Sequence, residues 1–147
     1  QKYDEKPLLF FRKYVGKGGQ ISYADFARVS FISDSTVKRY GSKSKRLVSI
    51  SRKRVAYGLM YFWRALERKV YQDFKNSMEY KREHGEIERV PPEEDMRRMA
   101  MESLWQEYHA AFHEDAEMAR ELAEDPNALV NILYNDRFKK VRLKGAK

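Results

Sequence analysis

The chain has 147 residues, of which 42% are hydrophobic, 14% aromatic and 35% charged. This composition is too apolar for a disordered chain, and no apolar run approaches the roughly 20 residues that a membrane-spanning helix needs. The chain contains no cysteine, which excludes disulfide bonds and zinc sites built on thiolates. We therefore expect one small domain, with or without a helical extension, and no membrane association.

The charge of the chain, +8 in total, is strongly segregated along the sequence. Residues 1–84 hold 20 basic and 8 acidic side chains, residues 85–136 hold 4 and 14, and residues 137–147 hold 6 and none. A basic N-terminal half suits neutralisation of nucleic-acid phosphates, whereas the acidic segment would be repelled by them. Residues 1–6 lack the apolar core of a secretory signal, so the sequence predicts a cytoplasmic, nucleoid-associated protein.

The first predicted element is a supporting helix that begins near Pro7, a favoured residue at helix starts. Its apolar surface comes from Leu8, Leu9, Phe10, Phe11 and Tyr14. The glycines at positions 16, 18 and 19 predict that it ends there.

The next segment predicts two short helices joined by a tight turn. Ser22 is a good N-cap for the first helix, which carries Phe26 and Val29 on its apolar face. Ala27 is small, as required where a second helix crosses closely. After residues 30–32, Ser33 is a second N-cap; on the following helix Val37 and Tyr40 face inward, and the outward residues are Asp34, Ser35, Lys38 and Arg39.

Residues 22–41 resemble the helix-turn-helix of bacterial and phage repressors, in Ala27, in Ile32-Ser33 and in the run from Ser35 to Arg39. In that family the second helix enters the major groove of DNA. The resemblance implies base contacts by Asp34, Ser35, Lys38 and Arg39. Phe31 stands where the family usually has glycine, and Ser30 where it usually has an apolar residue. Since a side chain disfavours the left-handed conformation, we expect a longer or differently shaped turn.

Basic and hydroxyl side chains around this unit are predicted to contact DNA phosphates. They are Arg28, Ser33, Thr36, Lys43, Lys45, Arg46, Arg52, Lys53 and Arg54. Residues 46–50 are either a short β wing or a loop that leads directly into a helix. We favour the loop, because the β-prone piece is only four residues long, 47–50, and has no clear pairing partner. Residues 1–50 would then form the DNA-binding head.

A long connecting helix is predicted over residues 51–85, because apolar residues recur every three or four positions: Val55, Leu59, Phe62, Trp63, Leu66, Val70, Phe74 and Met78. Gly85 would end it, and Pro91-Pro92 would follow as a linker. The fold class is therefore all-α.

An acidic helical region, residues 92–136, is predicted to serve assembly or partner binding. Its stripe comprises Met101, Trp105, Tyr108, Phe112 and Leu122, with Ala119. This stripe either packs against the connecting helix or forms an oligomer or partner interface, and the sequence leaves both open. A basic tail, residues 137–147, ends the chain.

Catalytic and metal sites are not expected. His109 and His113 are four residues apart, but the hydrolase pattern needs a glutamate directly after the first histidine, and Ala110 stands there. The glycines at 16–19 lack the ending of a phosphate-binding loop. We expect no enzyme, no cofactor and no metal. The many tyrosines of the basic half suit stacking on single strands, a less favoured interpretation because several lie on core faces.

The sequence therefore predicts a sequence-specific double-stranded DNA-binding protein, a transcriptional regulator of bacterial, plasmid or phage origin. We expect a homodimer or higher homo-oligomer, since two heads cover two half-sites. One alternative is a DNA-marking assembly protein that resembles a phage small terminase subunit. Another is an adaptor whose head binds RNA polymerase or another protein.

Overall fold

The computed structural model describes residues 5–42, 49–125 and 127–135. These residues contain eight helices and no strand. The predicted all-α class is confirmed. The helices are α1 (Lys6–Tyr14), α2 (Tyr23–Ser30), α3 (Asp34–Ser42), α4 (Ser49–Tyr61), α5 (Trp63–Glu83), α6 (Glu93–Phe112), α7 (Glu114–Leu122) and α8 (127–135). Among these helices none is both long enough and apolar enough to cross a membrane.

The supporting helix α1 begins and ends where the sequence predicts. Pro7 lies in its first turn, and Val15 after it is extended. The chain then turns back through Gly16, at φ +111°, and the Ile21 N–H donates to the Tyr14 carbonyl at 3.0 Å. This turn brings α2 against the end of α1.

The predicted connecting helix is not continuous, because it breaks at Phe62 between α4 and α5. The Phe62 ring stacks on Phe26 of α2, with centroids 6.4 Å apart, while the ring of Trp63 lies 4.9 Å from that of Tyr108 on α6. Two consecutive side chains thus pack against different helices, Phe62 on α2 and Trp63 on α6. These two contacts give a physical reason for the break, which the apolar spacing alone does not reveal.

Helices α5 and α6 pack as an antiparallel hairpin. Trp63 contacts Trp105, and two turns further along α5 Tyr71 meets Arg97, so the residue numbers run in opposite directions. Gly85, at φ +75°, ends α5, and the N–H of Glu86 donates to the Lys81 carbonyl at 2.8 Å, which satisfies the helix end. We call residues 67–103 the outer hairpin.

The acidic region also breaks, at His113, where φ is +52° and ψ is −121°. Helix α7 therefore turns away from α6 and packs on α4. Helix α8 follows with Leu129 and Leu133 buried. A single predicted stripe from Met101 to Leu122 is thus divided between two helices.

One buried cluster includes residues from all eight helices. Its largest members are aromatic, among them Phe11, Phe26, Tyr57, Tyr108 and Phe112. The Tyr108 hydroxyl donates to the Ala56 carbonyl at 2.6 Å, which joins α6 to α4 within this core. The DNA-binding head predicted for residues 1–50 therefore shares its core with the C-terminal helices.

Candidate nucleic-acid interface

The turn between α2 and α3 is three residues long and has Phe31 in the left-handed conformation, at φ 57° and ψ 34°. The expectation of a longer or differently shaped turn is wrong, because Phe31 adopts the conformation that glycine usually provides. Left-handed backbone costs a residue with a side chain roughly 1–2 kcal/mol. Two contacts offset this cost: Arg54 Nη1 donates to the Phe31 carbonyl at 3.0 Å, and the Tyr134 ring lies 5.9 Å from the Phe31 ring.

Ser30 replaces the usual apolar residue because α4 crosses α2 closely at that point. Ser30 is fully buried, and a Cβ added to Gly58 would lie 3.3 Å from its Cβ and 2.8 Å from the Phe26 ring. A larger side chain at either position would force the helices apart. The small residues at positions 30 and 58 thus set the distance between α2 and α4.

Helix α3 presents a polar face outward from a fixed base. Val37 and Tyr40 are buried, and Arg12 of α1 donates to the Tyr40 carbonyl at 2.8 Å. The four predicted base-contact residues are all exposed: Asp34, Ser35, Lys38 and Arg39. The exposed Lys38 Nζ lies 3.2 Å from Asp34 Oδ2, and a surface pair of this kind is weak enough to exchange for other partners.

The N-terminus of α3 is capped by Ser33, as predicted. Its Oγ accepts from the Thr36 N–H at 3.3 Å and donates to the Thr36 hydroxyl at 2.7 Å. Ser22 caps α2 in the same way, accepting from the N–H of Asp25. Ser33 is exposed and Thr36 half-buried, so this end of α3 offers hydroxyl groups and a positive helix end toward solvent.

The three basic side chains near the start of α4, Arg52, Lys53 and Arg54, point in different directions. Arg54 is only 6% exposed and holds the turn, so it cannot also contact DNA, and the phosphate role predicted for it is wrong. Arg52 Nε lies 3.8 Å from Asp115 of α7, and Lys53 lies over the Tyr57 ring. Consecutive helical residues are about 100° apart, which prevents three neighbours from sharing one face.

The other predicted phosphate contacts divide into two groups. Arg28 is exposed on α2 and pairs with Asp25 one turn before it. Lys43, Lys45 and Arg46 lie outside the described residues, as does the start of the alternative wing at 46–50. Helix α4 already begins at Ser49.

Asp115 is the acidic group nearest this basic run. Burial raises the pKa of its carboxyl above the ordinary value of 3.8, although Arg52 and Lys53 act in the opposite direction. Burial and the charge of Asp115 also raise the pKa of the Tyr108 hydroxyl. The carboxylate of Asp115 is therefore less favoured in the folded chain than in the unfolded one.

The predicted oligomer or partner stripe lies mostly against the chain itself. Tyr108 and Phe112 are buried in the common core, so their assignment to an intermolecular interface is wrong. Met101, Trp105 and Leu122 are half-buried. The Arg120 guanidinium lies 4.5 Å from the centre of the Trp105 ring.

The two helical histidines have ring centroids 6.5 Å apart and differ in their other contacts. His109 Nε2 lies 2.7 Å from Glu117 Oε2 across the break between α6 and α7, whereas His113 forms the break itself. In the described ranges no group of three or more His, Asp or Glu side chains is arranged to hold a metal ion.

The sequence did not reveal the structural roles of Arg12, Arg54 and Tyr134, which contact the backbone or the ring of residues in α3 and the turn before it. A basic residue within a basic run gives no sign that it will be buried, and Tyr134 is distant in sequence from Phe31. The crossing at Gly58 was detectable in principle, because a glycine within an apolar helix indicates close packing.

Comparisons of this chain with protein-family models, with curated proteins and with solved structures found no match.

Proposed function

We propose that this chain binds double-stranded DNA in a sequence-directed manner, with α3 in the major groove, and regulates transcription. The observation that supports this most directly is the three-residue turn with Phe31 left-handed. It sets α3 on a buried base of Val37 and Tyr40 with its polar face exposed. A helix held in this way is suited to enter a groove of the duplex.

The side chains on α3 suggest a division of roles. Arg39 and Lys38 can donate to the acceptors of guanine, and Asp34 can accept from the amino group of cytosine. Ser33 and Thr36, at the positive end of α3, suit phosphate oxygens, as does the exposed Arg28 of α2. Base contacts would specify the sequence, and the phosphate contacts would fix the docking.

Selection of bound duplexes from a random-sequence pool at physiological salt tests this proposal. We expect enrichment of a motif with two-fold symmetry, because a dimer of heads would contact two half-sites about 34 Å apart. Retention of duplex without an enriched motif would contradict sequence-directed binding and favour a DNA-marking assembly role. Absence of retention would contradict duplex binding and favour the protein-adaptor alternative.

Two substitutions separate the proposed roles. Arg39→Ala should relax the preference at one base position by about 1–3 kcal/mol, whereas Arg28→Ala should weaken all duplexes alike. Arg68→Ala, which removes an exposed arginine on α5, is the matched control and should change neither quantity. Equal losses on every sequence for Arg39→Ala and Arg28→Ala would contradict base recognition by α3. Binding titrations on the selected motif and its point variants measure both effects.

A further inference from the structure

A groove of about 460 Å³ lies where α5 and α6 meet the end of α7. Trp63 of α5 and Trp105 of α6 form its aromatic wall, with ring centroids 6.5 Å apart and planes inclined by 73°. Both side chains are half-buried, so part of each is accessible to a ligand. We call this cavity the acidic groove, because three glutamates also line it: Glu67, Glu102 and Glu124.

The carboxylates of the acidic groove are available to a cation. In the described parts of the chain neither Glu67 nor Glu124 has an ion-pair partner, and Glu102 only approaches Arg98 Nε at 4.0 Å. Against these three carboxylates, Arg120 is the one basic side chain among the described residues that line the groove. The groove is therefore negatively charged, which favours a cationic ligand and disfavours nucleic acid.

The aromatic wall also favours a cation. The Arg120 guanidinium lies 4.5 Å from the centre of the Trp105 ring, and the indole ring attracts cations more strongly than other aromatic side chains do. Within the described ranges the Trp63 ring has no such cation. Glu67 lies one turn after Trp63 on the same face of α5. A cation placed on the Trp63 ring would thus also lie near a carboxylate.

Two further cavities adjoin the acidic groove and lengthen it. Trp63 and Glu67 also line a cavity of about 600 Å³ with Phe62, while Trp105 also lines a cavity of about 400 Å³ with His109. A peptide segment can extend from the groove into the cavities on both sides, whereas a compact molecule would fill the groove alone.

We propose that the acidic groove binds an extended segment of a partner protein, with a lysine or arginine of that segment between the tryptophans and the glutamates. The adjoining cavity at Phe62 is also lined by Arg64 and Arg68, which disfavour a second cation there, and by the apolar Met60 and Leu129. The segment should therefore carry an apolar side chain beside its basic one. Such a contact does not require DNA binding.

Selection from a random peptide display library tests the contact. Wild type should enrich peptides in which a lysine or arginine lies beside an apolar residue. The test variant carries Glu67→Gln, Glu102→Gln and Glu124→Gln, and it should not enrich these peptides. The control variant carries Glu83→Gln, Glu86→Gln and Glu88→Gln, at exposed positions of the outer hairpin. It removes the same charge from the chain and should enrich the same peptides as wild type.

Tryptophan fluorescence then measures the affinity of a selected peptide that itself lacks tryptophan. The chain has two tryptophans and both line the acidic groove, so a change in their emission reports on this site. We expect the test variant to bind the peptide about tenfold more weakly, the sum of several exposed ion pairs. Arg120→Gln should instead bind it more tightly, because this change removes the cation that competes for the Trp105 ring.

Four results would overturn the proposal. The first is that no basic peptide is enriched, or that the test variant enriches the same peptides as wild type. The second is weaker binding by Arg120→Gln, which would indicate an acidic partner. The third is a wild-type dimer that dissociates in the test variant by light scattering, because a second copy would then fill the groove. The fourth is a change in tryptophan emission, without peptide, when the basic residues of the tail are changed to glutamine, which would assign the groove to the chain's own tail.

Discussion

The helix-turn-helix head and the outer hairpin use polar side chains in opposite ways. In the head, Arg12 and Arg54 donate to backbone carbonyls of Tyr40 and Phe31, at the end of α3 and in the turn. In the outer hairpin, the charges pair with neighbours one turn away on the same helix, as in Lys69 with Asp73. In the head, Arg12 of α1 and Arg54 of α4 thus hold the backbone of other elements. The ion pairs on the hairpin helices join residues of the same helix, and Arg97 of α6 also lies over the Tyr71 ring of α5.

The two regions also differ in where their buried side chains lie. The head places Phe11 and Phe26 in the common core, fully buried. The outer hairpin also buries Met96 and Ala100, but these two residues do not belong to the common core. If α3 contacts bases as proposed, it must be held in one orientation by such contacts between helices, because a small shift of the helix would alter every base contact. The outer hairpin has no such requirement, so we expect substitutions there to change stability less than substitutions in the head.

The largest expected difference concerns one phenylalanine from each region. Phe26→Ala should lower the free energy of unfolding by about 3–5 kcal/mol, because a full side chain leaves a closed core. Phe74→Ala, at a half-buried position of α5, should cost only about 1–2 kcal/mol. Chemical denaturation of both variants measures the two losses, and equal losses would show that the hairpin is as tightly packed as the head.

The sequence was most informative where the determinants are local. Pro7, the serine caps at 22 and 33 and Gly85 act within one turn of the chain, and each is confirmed in place. The spacing of Val37 and Tyr40 also identified the buried side of α3, and therefore the exposed one.

What the sequence could not predict depends on partners distant along the chain. Phe31 accepts the left-handed conformation with Arg54 and Tyr134 beside it, 23 and 103 residues away. The breaks at Phe62 and His113 likewise depend on which helices lie on either side. The apolar period continues across Phe62, and near His113 the sequence shows only an interruption at Asp115. Tertiary packing overrode the local pattern at all three places.

The second contrast concerns the relative stability of glycine and alanine variants, which should be opposite at Phe31 and at Ser77 of the outer hairpin. Phe31→Gly and Phe31→Ala both remove the ring, and they differ only in tolerance of φ 57°. The glycine variant should be the more stable by about 1 kcal/mol. At Ser77, an exposed position within α5, alanine should instead be more stable than glycine by about the same amount.

Thermal or chemical unfolding of these four variants measures both differences under one set of conditions. If alanine were the more stable at both positions, the turn would be helical at residue 31, and the placement of α3 proposed for DNA binding would lose its basis.

The smallest expected effects are the stability changes on replacing one carboxylate near each region by asparagine, and these two changes should have opposite signs. Asp115→Asn should raise stability slightly at pH 7, by less than about 1 kcal/mol, because burial outweighs Arg52 and makes the ionised carboxyl unfavourable in the folded chain. Asp73→Asn removes an exposed pair with Lys69 and should lower stability by about 0.3–0.5 kcal/mol.

The pH dependence identifies the cause of the Asp115 effect. Since the folded pKa is raised, the folded chain binds the proton more tightly than the unfolded chain does, so this group favours folding at low pH. That contribution is lost as pH rises from near 3.8 through the folded pKa. The stability of Asp115→Asn relative to wild type should therefore increase across that window and stay constant above it. Unfolding midpoints of Asp115→Asn and wild type from pH 3 to 7 measure this difference. If the stability of the variant relative to wild type decreased with rising pH, Arg52 would stabilise the carboxylate more than burial penalises it.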